Sequence, residues 1–141
     1  MSGTVMSTVW EPRVRGIVRI IIGLVFLEHG SAKLLGFPHV AMFDQLQLVS
    51  LIGLAGIIEL VGGALFTVGL FTRAAAFIMS GEMAVGYFMA HAPKSFFPAL
   101  NGGDAAILYC FIFFWFFVAG PGAFSLDELF AGSRSRPVVT A

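Results

Sequence analysis

Four stretches of this sequence each have the length and the apolar character of a helix that crosses a lipid bilayer. They cover residues 14–35, 50–71, 74–92 and 104–120, and a hydrocarbon core about 30 Å thick takes about 20 residues of α-helix. The fourth is the most apolar, because Tyr109 and Cys110 are the only ionisable side chains between Ala105 and Leu126. The sequence therefore predicts an all-α fold, a four-transmembrane-helix bundle with short outer loops, in a single membrane domain over residues 1–141.

The composition excludes several other classes of protein. Hydrophobic residues make up 58% of the chain and charged residues 11%, whereas soluble domains have roughly 45–50% and about 25%. The formal net charge is zero, so no basic surface is available for nucleic acid. A single cysteine rules out an internal disulfide and a CxxC redox pair. Arginines ahead of span one also resemble a secretion signal, but the three later spans argue against that interpretation.

The distribution of Lys and Arg predicts the orientation of the spans. One side of the predicted bundle carries five arginines, namely Arg13, Arg15, Arg73, Arg134 and Arg136. The opposite side carries Lys94, with Lys33 at the edge of span one. By the positive-inside rule, both termini are expected in the cytoplasm and the chain in the inner membrane. Residues 1–13 and 130–141 are predicted to be flexible cytoplasmic tails.

Ionisable residues inside the spans are the main candidates for a functional site. A charged side chain at the centre of a membrane helix costs about 2.5–3.5 kcal/mol on insertion scales, so each one needs a reason. Glu28, Glu59 and Glu82 are expected in the middle third of the bilayer, on three different spans, and His29 at a similar depth. Together these observations predict a ligand pocket lined by Arg19, Glu28, His29, Lys33, Glu59 and Glu82. Within it, Glu59, Glu82 and His29 are the candidate catalytic residues.

Several of these residues share a helix face with small residues. At 100° per residue, the groups are Arg19 with Gly16, Gly23 and Gly30; Glu59 with Gly56 and Gly63; and Glu82 with Ala75, Met79 and Gly86. Small residues beside polar ones mark helix interfaces in membranes, so both glutamates are predicted to face neighbouring helices. Glu28 lies about half a turn away from Arg19 around the helix, which makes it a weaker pocket candidate.

Two interpretations of the buried charges remain open from the residues alone. In the first, arginine and glutamates are internal struts that fix which helix lies beside which. In the second, they line a pocket, because three carboxyl groups and a histidine exceed what one arginine and an edge lysine can neutralise. At least one glutamate is then expected to be protonated, which suits proton exchange or a hydrogen bond to a quinone-like carbonyl.

Three further features receive structural interpretations. A metal site formed by His29, Glu59 and Glu82 is conceivable, but the sequence has no HxxxH or ExxH spacing, and no metal is predicted. Cys110 and the aromatic run around Trp115 are interpreted as packing or lipid-facing surface. Asp104 follows Asn101-Gly102-Gly103 and is predicted to cap the fourth helix.

The combined motifs resemble those of the DoxX family of small four-helix membrane proteins. The matching elements are Arg19, HGSAKLLG from His29, GLAGIIELVGGALFTVGLFTRAAA from Gly53, NGGDAAILY from Asn101 and GPGAFSLDEL from Gly120. The resemblance covers about residues 15–129. Members of that family often carry Glu where this chain has Asp104, a departure that leaves the role of this position open.

The resemblance implies an inner-membrane protein with cytoplasmic termini, in agreement with the charge distribution. The family takes its name from a membrane subunit associated with thiosulfate:quinone oxidation and a terminal oxidase, and some relatives resemble membrane partners of thiol- or superoxide-handling enzymes. By position, the family's recurring polar residues correspond to His29, Lys33, Glu59, Arg73 and Asp127. The resemblance assigns Arg73 and Asp127 a structural role, as an ion pair that ties helix ends together.

Three functions are therefore expected to compete. The first is a redox-associated, quinone-linked membrane subunit with a polar pocket, in which a soluble or membrane redox partner supplies electrons. The second is a non-catalytic scaffold that docks such a partner. The third is a small proton-coupled transporter, which four short spans favour less unless the protein forms homo-oligomers through its glycine-rich helix faces.

Overall fold

The described part of the chain, residues 6–134, is built from helices and turns. A computed structural model shows α1 (Glu11–Leu34), α2 (Leu51–Val68), α3 (Thr72–Gly86), α4 (Pro98–Asn101), α5 (Asp104–Ala119) and α6 (Leu126–Arg134). Three π-helical turns occur at Met6–Trp10, Ile58–Gly62 and Tyr87–His91, and a 3-10 turn at Ala41–Phe43. Residues 6–134 contain no strand, which confirms the all-α class.

The four long helices α1, α2, α3 and α5 follow one another antiparallel. The N-terminal half of α1 lies beside the C-terminal end of α2, because Arg19 donates to the Phe66 and Thr67 carbonyls. The C-terminal end of α5 reaches the same end of the molecule, where Arg15 donates to the Ala119 carbonyl. We call this the terminal end, and the opposite end, with the loops 35–50 and 92–103, the loop end.

Glycines bring α1 close to its neighbours, as their shared face predicts. Added methyl groups at Gly16 and Gly30 would run into the main chain of Ala123 and Leu60, and one at Gly23 would run into the Thr67 hydroxyl and approach its main chain to 3.0 Å. The predicted interface role of this glycine face is therefore confirmed. These glycines of α1 are in contact with other parts of the same chain, whereas Gly81 and Gly86 on α3 have no neighbour among the described residues within 4 Å of an added methyl group.

The terminal end is held together by polar side chains that bind the main chain. Asp127 accepts hydrogen bonds from the amides of Phe71 and Thr72, both at 2.9 Å, where α3 begins after a turn with Gly69 at φ 71°. Arg73 donates to the Phe117 and Val118 carbonyls at the end of α5, at 2.7 and 2.5 Å. Both residues tie helix ends together, but the expected ion pair between them does not form.

The apolar core lies at the terminal end and the centre of the bundle. Its buried members are Phe26, Phe66, Ala75, Ala76, Met79, Phe113 and Phe116. Beyond Ser80 no residue of α3 is buried, and no residue of α5 is buried before Phe113. In the described residues, the fully buried apolar core is therefore confined to the terminal end and the centre of the bundle.

The helix lengths differ from the four predicted spans. Helix α2, Leu51–Val68, is long and apolar enough to cross a membrane by length and composition, and α5 is apolar but shorter. Other described helices do not meet that test. Residues 11–13 and 130–134 are helical, whereas flexible tails were expected there. Arg136, which entered the charge count, lies outside the described residues.

Many large apolar side chains lie on the outside of the helices. Ile21, Leu54, Phe77 and Phe111 are 52–67% exposed, and similar residues occur along every long helix. Soluble proteins of this size rarely expose continuous apolar surface. The outer surface of the bundle thus suits an apolar surrounding.

Candidate functional site

Arg19 lies away from the other predicted pocket residues. Its guanidinium is completely buried and donates five hydrogen bonds of 2.6–3.4 Å, all to main-chain carbonyls. The acceptors are Phe66, Thr67, Pro121, Ala123 and Phe124. Lys33 is about 21 Å further along the same helix, since each residue advances about 1.5 Å. Arg19 therefore joins the terminal end together and does not line a pocket with the glutamates.

A cavity of about 520 Å³ lies between α2 and α3 at the loop end. This volume falls in the range of about 300–1,000 Å³ that is typical of sites for small molecules. Its walls are mainly apolar side chains, among them Leu51, Leu54, Val85 and Met89. These wall residues are themselves exposed, so the cavity is open to the side of the bundle.

The deep part of the cavity contains three of the predicted pocket residues. Lys33 from α1 donates to Oε1 of Glu59 from α2 at 2.5 Å, and the Glu59 side chain is almost completely buried. Glu82 from α3 lines the same cavity and lies within electrostatic reach of both. The expectation that Glu59 and Glu82 converge from separate helices agrees with this arrangement.

Two carboxyl oxygens in this cavity have no hydrogen-bond partner among the described residues. They are Oε2 of Glu59 and Oε2 of Glu82, and both are buried. A buried polar atom without a partner costs about 1–3 kcal/mol, so such atoms require an explanation. A ligand that presents hydrogen-bonding groups to both oxygens would satisfy them.

Two of the π-helical turns border the cavity. The turn Ile58–Gly62 carries Glu59, and the turn Tyr87–His91 carries His91, which lines the wall. Single π turns inside α-helices occur frequently at functional sites. Here the irregular turn in α2 places Glu59 beside Gly30 of α1, where the two main chains are in close contact.

The loop between α3 and α5 is attached to the cavity wall through His91. His91 Nδ1 lies 3.0 Å from the Asn101 carbonyl oxygen, and its ring stacks on Tyr87. Asn101 is buried, donates to the Ser95 carbonyl at 2.8 Å and accepts from the Gly103 amide at 2.7 Å. The sequence did not single out His91 or Asn101 as site residues, because the bonds involve main-chain groups of a loop.

Glu28 and His29 do not line this cavity. Both side chains are exposed on α1, and the His29 ring lies edge-on to Tyr109 of α5, with ring centres 6.2 Å apart. His29 is near enough to Glu59 to interact with it electrostatically. The two residues thus form a second polar group on the outside of the bundle, with the His29 ring next to α5.

Asp104 has a different place from the one expected. The residue before the first turn of α5 is Gly103, and no side chain accepts a capping hydrogen bond there. Asp104 lies in the first turn, where a carboxylate still interacts favourably with the helix dipole.

Cys110 is half-buried, and its carbonyl accepts from Ser80 at 2.8 Å. Within residues 6–134, no group of three or more His, Cys, Asp or Glu side chains could hold a metal ion.

Comparison with known proteins identifies the family. The model of the DoxX family matches residues 15–92, which is more than half of the chain. The chain belongs to the DoxX family. An uncharacterized protein of Haemophilus influenzae is 42% identical over 130 residues, a match that covers 86% of this chain and 93% of the relative. No solved structure matches the chain.

Family membership carries part of the functional argument. The DoxX family is membrane-associated, so membership suggests a membrane protein. The matched residues 15–92 include most of α1 and all of α2 and α3, and therefore Lys33, Glu59 and Glu82 of the cavity. The match does not reach α5 and α6.

Proposed function

We propose that the chain is an integral inner-membrane protein in which α1, α2, α3 and α5 each cross the bilayer and both termini lie in the cytoplasm. Its proposed role is that of a redox-associated subunit that binds a quinone in the cavity between α2 and α3. The observation that supports this role most directly is the cavity itself. Apolar walls open to the side, and two buried carboxyl oxygens without partners lie at its polar end.

The shape of the cavity suits an amphiphile that arrives from the lipid. A quinone has a flat ring with two carbonyl oxygens and an apolar tail. The ring would lie near Glu59 and Glu82, and the tail would lie along Leu51, Leu54 and Met89 and leave through the open side. A protonated carboxyl group can donate a hydrogen bond to a quinone carbonyl, and an ionised one can accept a proton from a quinol.

The remaining polar groups have supporting roles in this proposal. Lys33 neutralises Glu59 through the 2.5 Å contact and fixes one of its oxygens, which leaves Oε2 directed elsewhere. Glu82 has no comparable basic partner among the described residues, and it is the carboxyl group that would exchange protons. Quinone reduction also needs two electrons, which a soluble or membrane redox partner would supply.

The test is photolabelling of the protein in lipid nanodiscs with an azido-ubiquinone. Labelled peptides should come from α2 and α3, and excess decylubiquinone should compete with labelling. The variants Glu59→Gln and Glu82→Gln should reduce labelling, whereas Glu28→Gln, which removes an exposed carboxylate outside the cavity, should not. Labelling that is absent, or that Glu28→Gln reduces as much as Glu82→Gln, would contradict a quinone site here.

A non-catalytic scaffold is the second candidate, and one observation favours it. Arg19, Arg73 and Asp127 all bind main-chain groups of other helices or loops, as internal struts would. A scaffold predicts that Glu59→Gln destabilises the fold while decylubiquinone binding is absent before and after the substitution. A proton-coupled transporter would instead show pH-dependent solute counterflow in liposomes.

A further inference from the structure

The outer side of α1 carries two exposed polar side chains, Glu28 and His29, of which, within residues 6–134, only the His29 ring contacts another helix. Glu28 and His29 are exposed, and in the part of the chain that the structure describes neither side chain makes a hydrogen bond or an ion pair. The main chain of Leu27 packs against Gly63, and that of Gly30 against Leu60. Both polar residues are therefore level with the middle of α2, Leu51–Val68.

This position is unfavourable if lipid surrounds α1. The proposed topology puts the middle of α2 at the centre of the bilayer, where acyl chains offer no hydrogen bonds. An acidic side chain there costs about 2.5–3.5 kcal/mol on insertion scales, and intramembrane ionisable groups almost always face protein or water. A protein surface should therefore cover Glu28 and His29.

The apolar residues below Glu28 form a continuous seam on the same side of α1. Val14, Val18, Ile21 and Val25 precede it at alternating intervals of four and three residues, and they are 53%, 39%, 55% and 40% exposed. This spacing is that of the a and d positions of a coiled coil, with valine at both a positions and Glu28 at a d position. β-Branched residues stand at both the a and the d positions, so the spacing indicates that another helix packs along this seam but does not set the number of copies.

We propose that α1 packs against α1 of a second copy of the chain as a parallel two-fold pair, in which Glu28 of each copy meets His29 of the other. This inference rests on the membrane topology proposed above. In a parallel pair, a side chain at a d position packs into a space on the partner helix, and the next e position of that partner forms part of this space. Glu28 is at d and His29 is at the e position that follows it. A two-fold contact needs a self-complementary surface, and an adjacent acid and base provide one.

Cysteine cross-linking in native membranes tests the position of the interface. In a Cys110→Ser background, Ile21→Cys lies in the seam, and Phe77→Cys on α3 is a control with matched exposure, 55% against 58%. Oxidation with copper phenanthroline should give a disulfide-linked dimer for Ile21→Cys and monomer for Phe77→Cys. Equal yields, no dimer with Ile21→Cys, or cross-linking only to a protein of different mass would each overturn the proposal.

Charge exchange tests the proposed contact between Glu28 and His29. His29→Glu puts only carboxyl groups at the contact and should reduce the Ile21→Cys dimer about tenfold. The double change Glu28→His with His29→Glu restores an acid and a base and should recover most of the dimer. Failure of this rescue, or an unchanged dimer in His29→Glu, would contradict the pairing.

Azido-ubiquinone labelling of the same samples separates the two proposals. A monomer that still labels on α2 and α3 would overturn the dimer and leave the quinone site standing. A cross-linked dimer without labelling would do the reverse. Circular dichroism of each purified variant checks that it keeps the helical content of the wild type, because loss of the dimer alone should not unfold the helices of the monomer.

Discussion

The two ends of the bundle use buried polar residues in opposite ways. At the terminal end, Arg19 is fully buried and every one of its hydrogen bonds goes to a main-chain carbonyl, beside a core that contains Phe66 and Phe116. At the loop end, Glu59 and Glu82 each retain a buried oxygen without a partner in the described residues, beside a cavity. At the terminal end the bonds of Arg19 are made within the chain, although the buried Thr72 hydroxyl has no hydrogen-bond partner among the described residues. At the loop end it is carboxyl oxygens that lack such a partner, and they border a cavity.

This difference indicates which residues serve stability and which serve binding. A buried group whose hydrogen bonds are all made within the chain stabilises the arrangement that makes them. A buried group with an unused acceptor costs free energy until something else supplies the bond. The proposed site therefore lies at the loop end, while the terminal end acts as its rigid support.

The largest expected effect is that of Arg19→Ala. The substitution leaves carbonyls at the end of α2 and in the loop 121–124 without their donor, and it opens a space in the centre of the terminal end. We expect a loss of about 3 kcal/mol or more in the free energy of unfolding, because several buried acceptors lose their partner together. Thermal unfolding in nanodiscs, or the folded fraction on size-exclusion chromatography, measures this loss.

The matched control for that experiment is Arg13→Ala. Arg13 is exposed six residues earlier on the same helix, makes one long hydrogen bond of 3.4 Å to the Val9 carbonyl and lies over the Trp10 ring. It should change stability little. If Arg19→Ala is as stable as Arg13→Ala, the terminal end does not depend on its guanidinium, and the contrast between the two ends is wrong.

A smaller effect is expected from Gly30→Ala, at the boundary between the two ends. The added methyl group would lie 2.7 Å from Leu60 Cα and 2.8 Å from the carbonyl carbon of Glu59, so α1 and α2 must move apart. Overpacking of this kind costs about 1–3 kcal/mol. Because the clash is with the main chain beside Glu59, azido-ubiquinone labelling should fall together with stability.

Gly86→Ala provides the comparison for that substitution. Gly86 lines the cavity, but a methyl group there meets no atom within 4 Å. Alanine also has the higher helix propensity, so this variant should be as stable as the wild type or more stable. A Gly86→Ala protein that unfolds as early as Gly30→Ala would show that the close contact of α1 and α2 is not the cause.

Much of the fold could be predicted from regular patterns in the sequence. The glycine face of α1 and the direction of Glu59 and Glu82 follow from helical periodicity, which specifies a face without knowledge of the partner. The same reasoning placed Arg19 on the glycine face. It then grouped Arg19 with the glutamates because a sequence shows charges and not the carbonyls that can satisfy them.

The features that the sequence did not predict depend on main-chain geometry. The acceptors of Arg19 lie 47–105 residues away in the chain and are carbonyls, which every residue type carries. The sequence also carries no signature of the π turn that contains Glu59. Nor does it show that Arg73 and Asp127 each bind main-chain groups and do not pair with each other. Asp104 failed as a cap because Gly103 precedes the helix, a one-residue shift that composition cannot resolve.

The smallest effect on stability, and the sharpest test of the comparison, is expected from Glu82→Leu. Leucine has a similar volume and removes a buried oxygen that has no partner in the described part of the chain. Replacement of an unsatisfied buried polar group by an apolar one is often neutral or stabilising, so the unfolding temperature should stay constant or rise. Decylubiquinone affinity should nevertheless fall about tenfold or more, the equivalent of one hydrogen bond to a charged group.

The control for Glu82→Leu is Ile78→Leu, an apolar exchange on the same cavity wall that should change neither the unfolding temperature nor the decylubiquinone affinity. A Glu82→Leu protein that unfolds earlier and binds decylubiquinone as before would assign Glu82 to the support of the fold, and the two ends of the bundle would then use their buried charges in the same way.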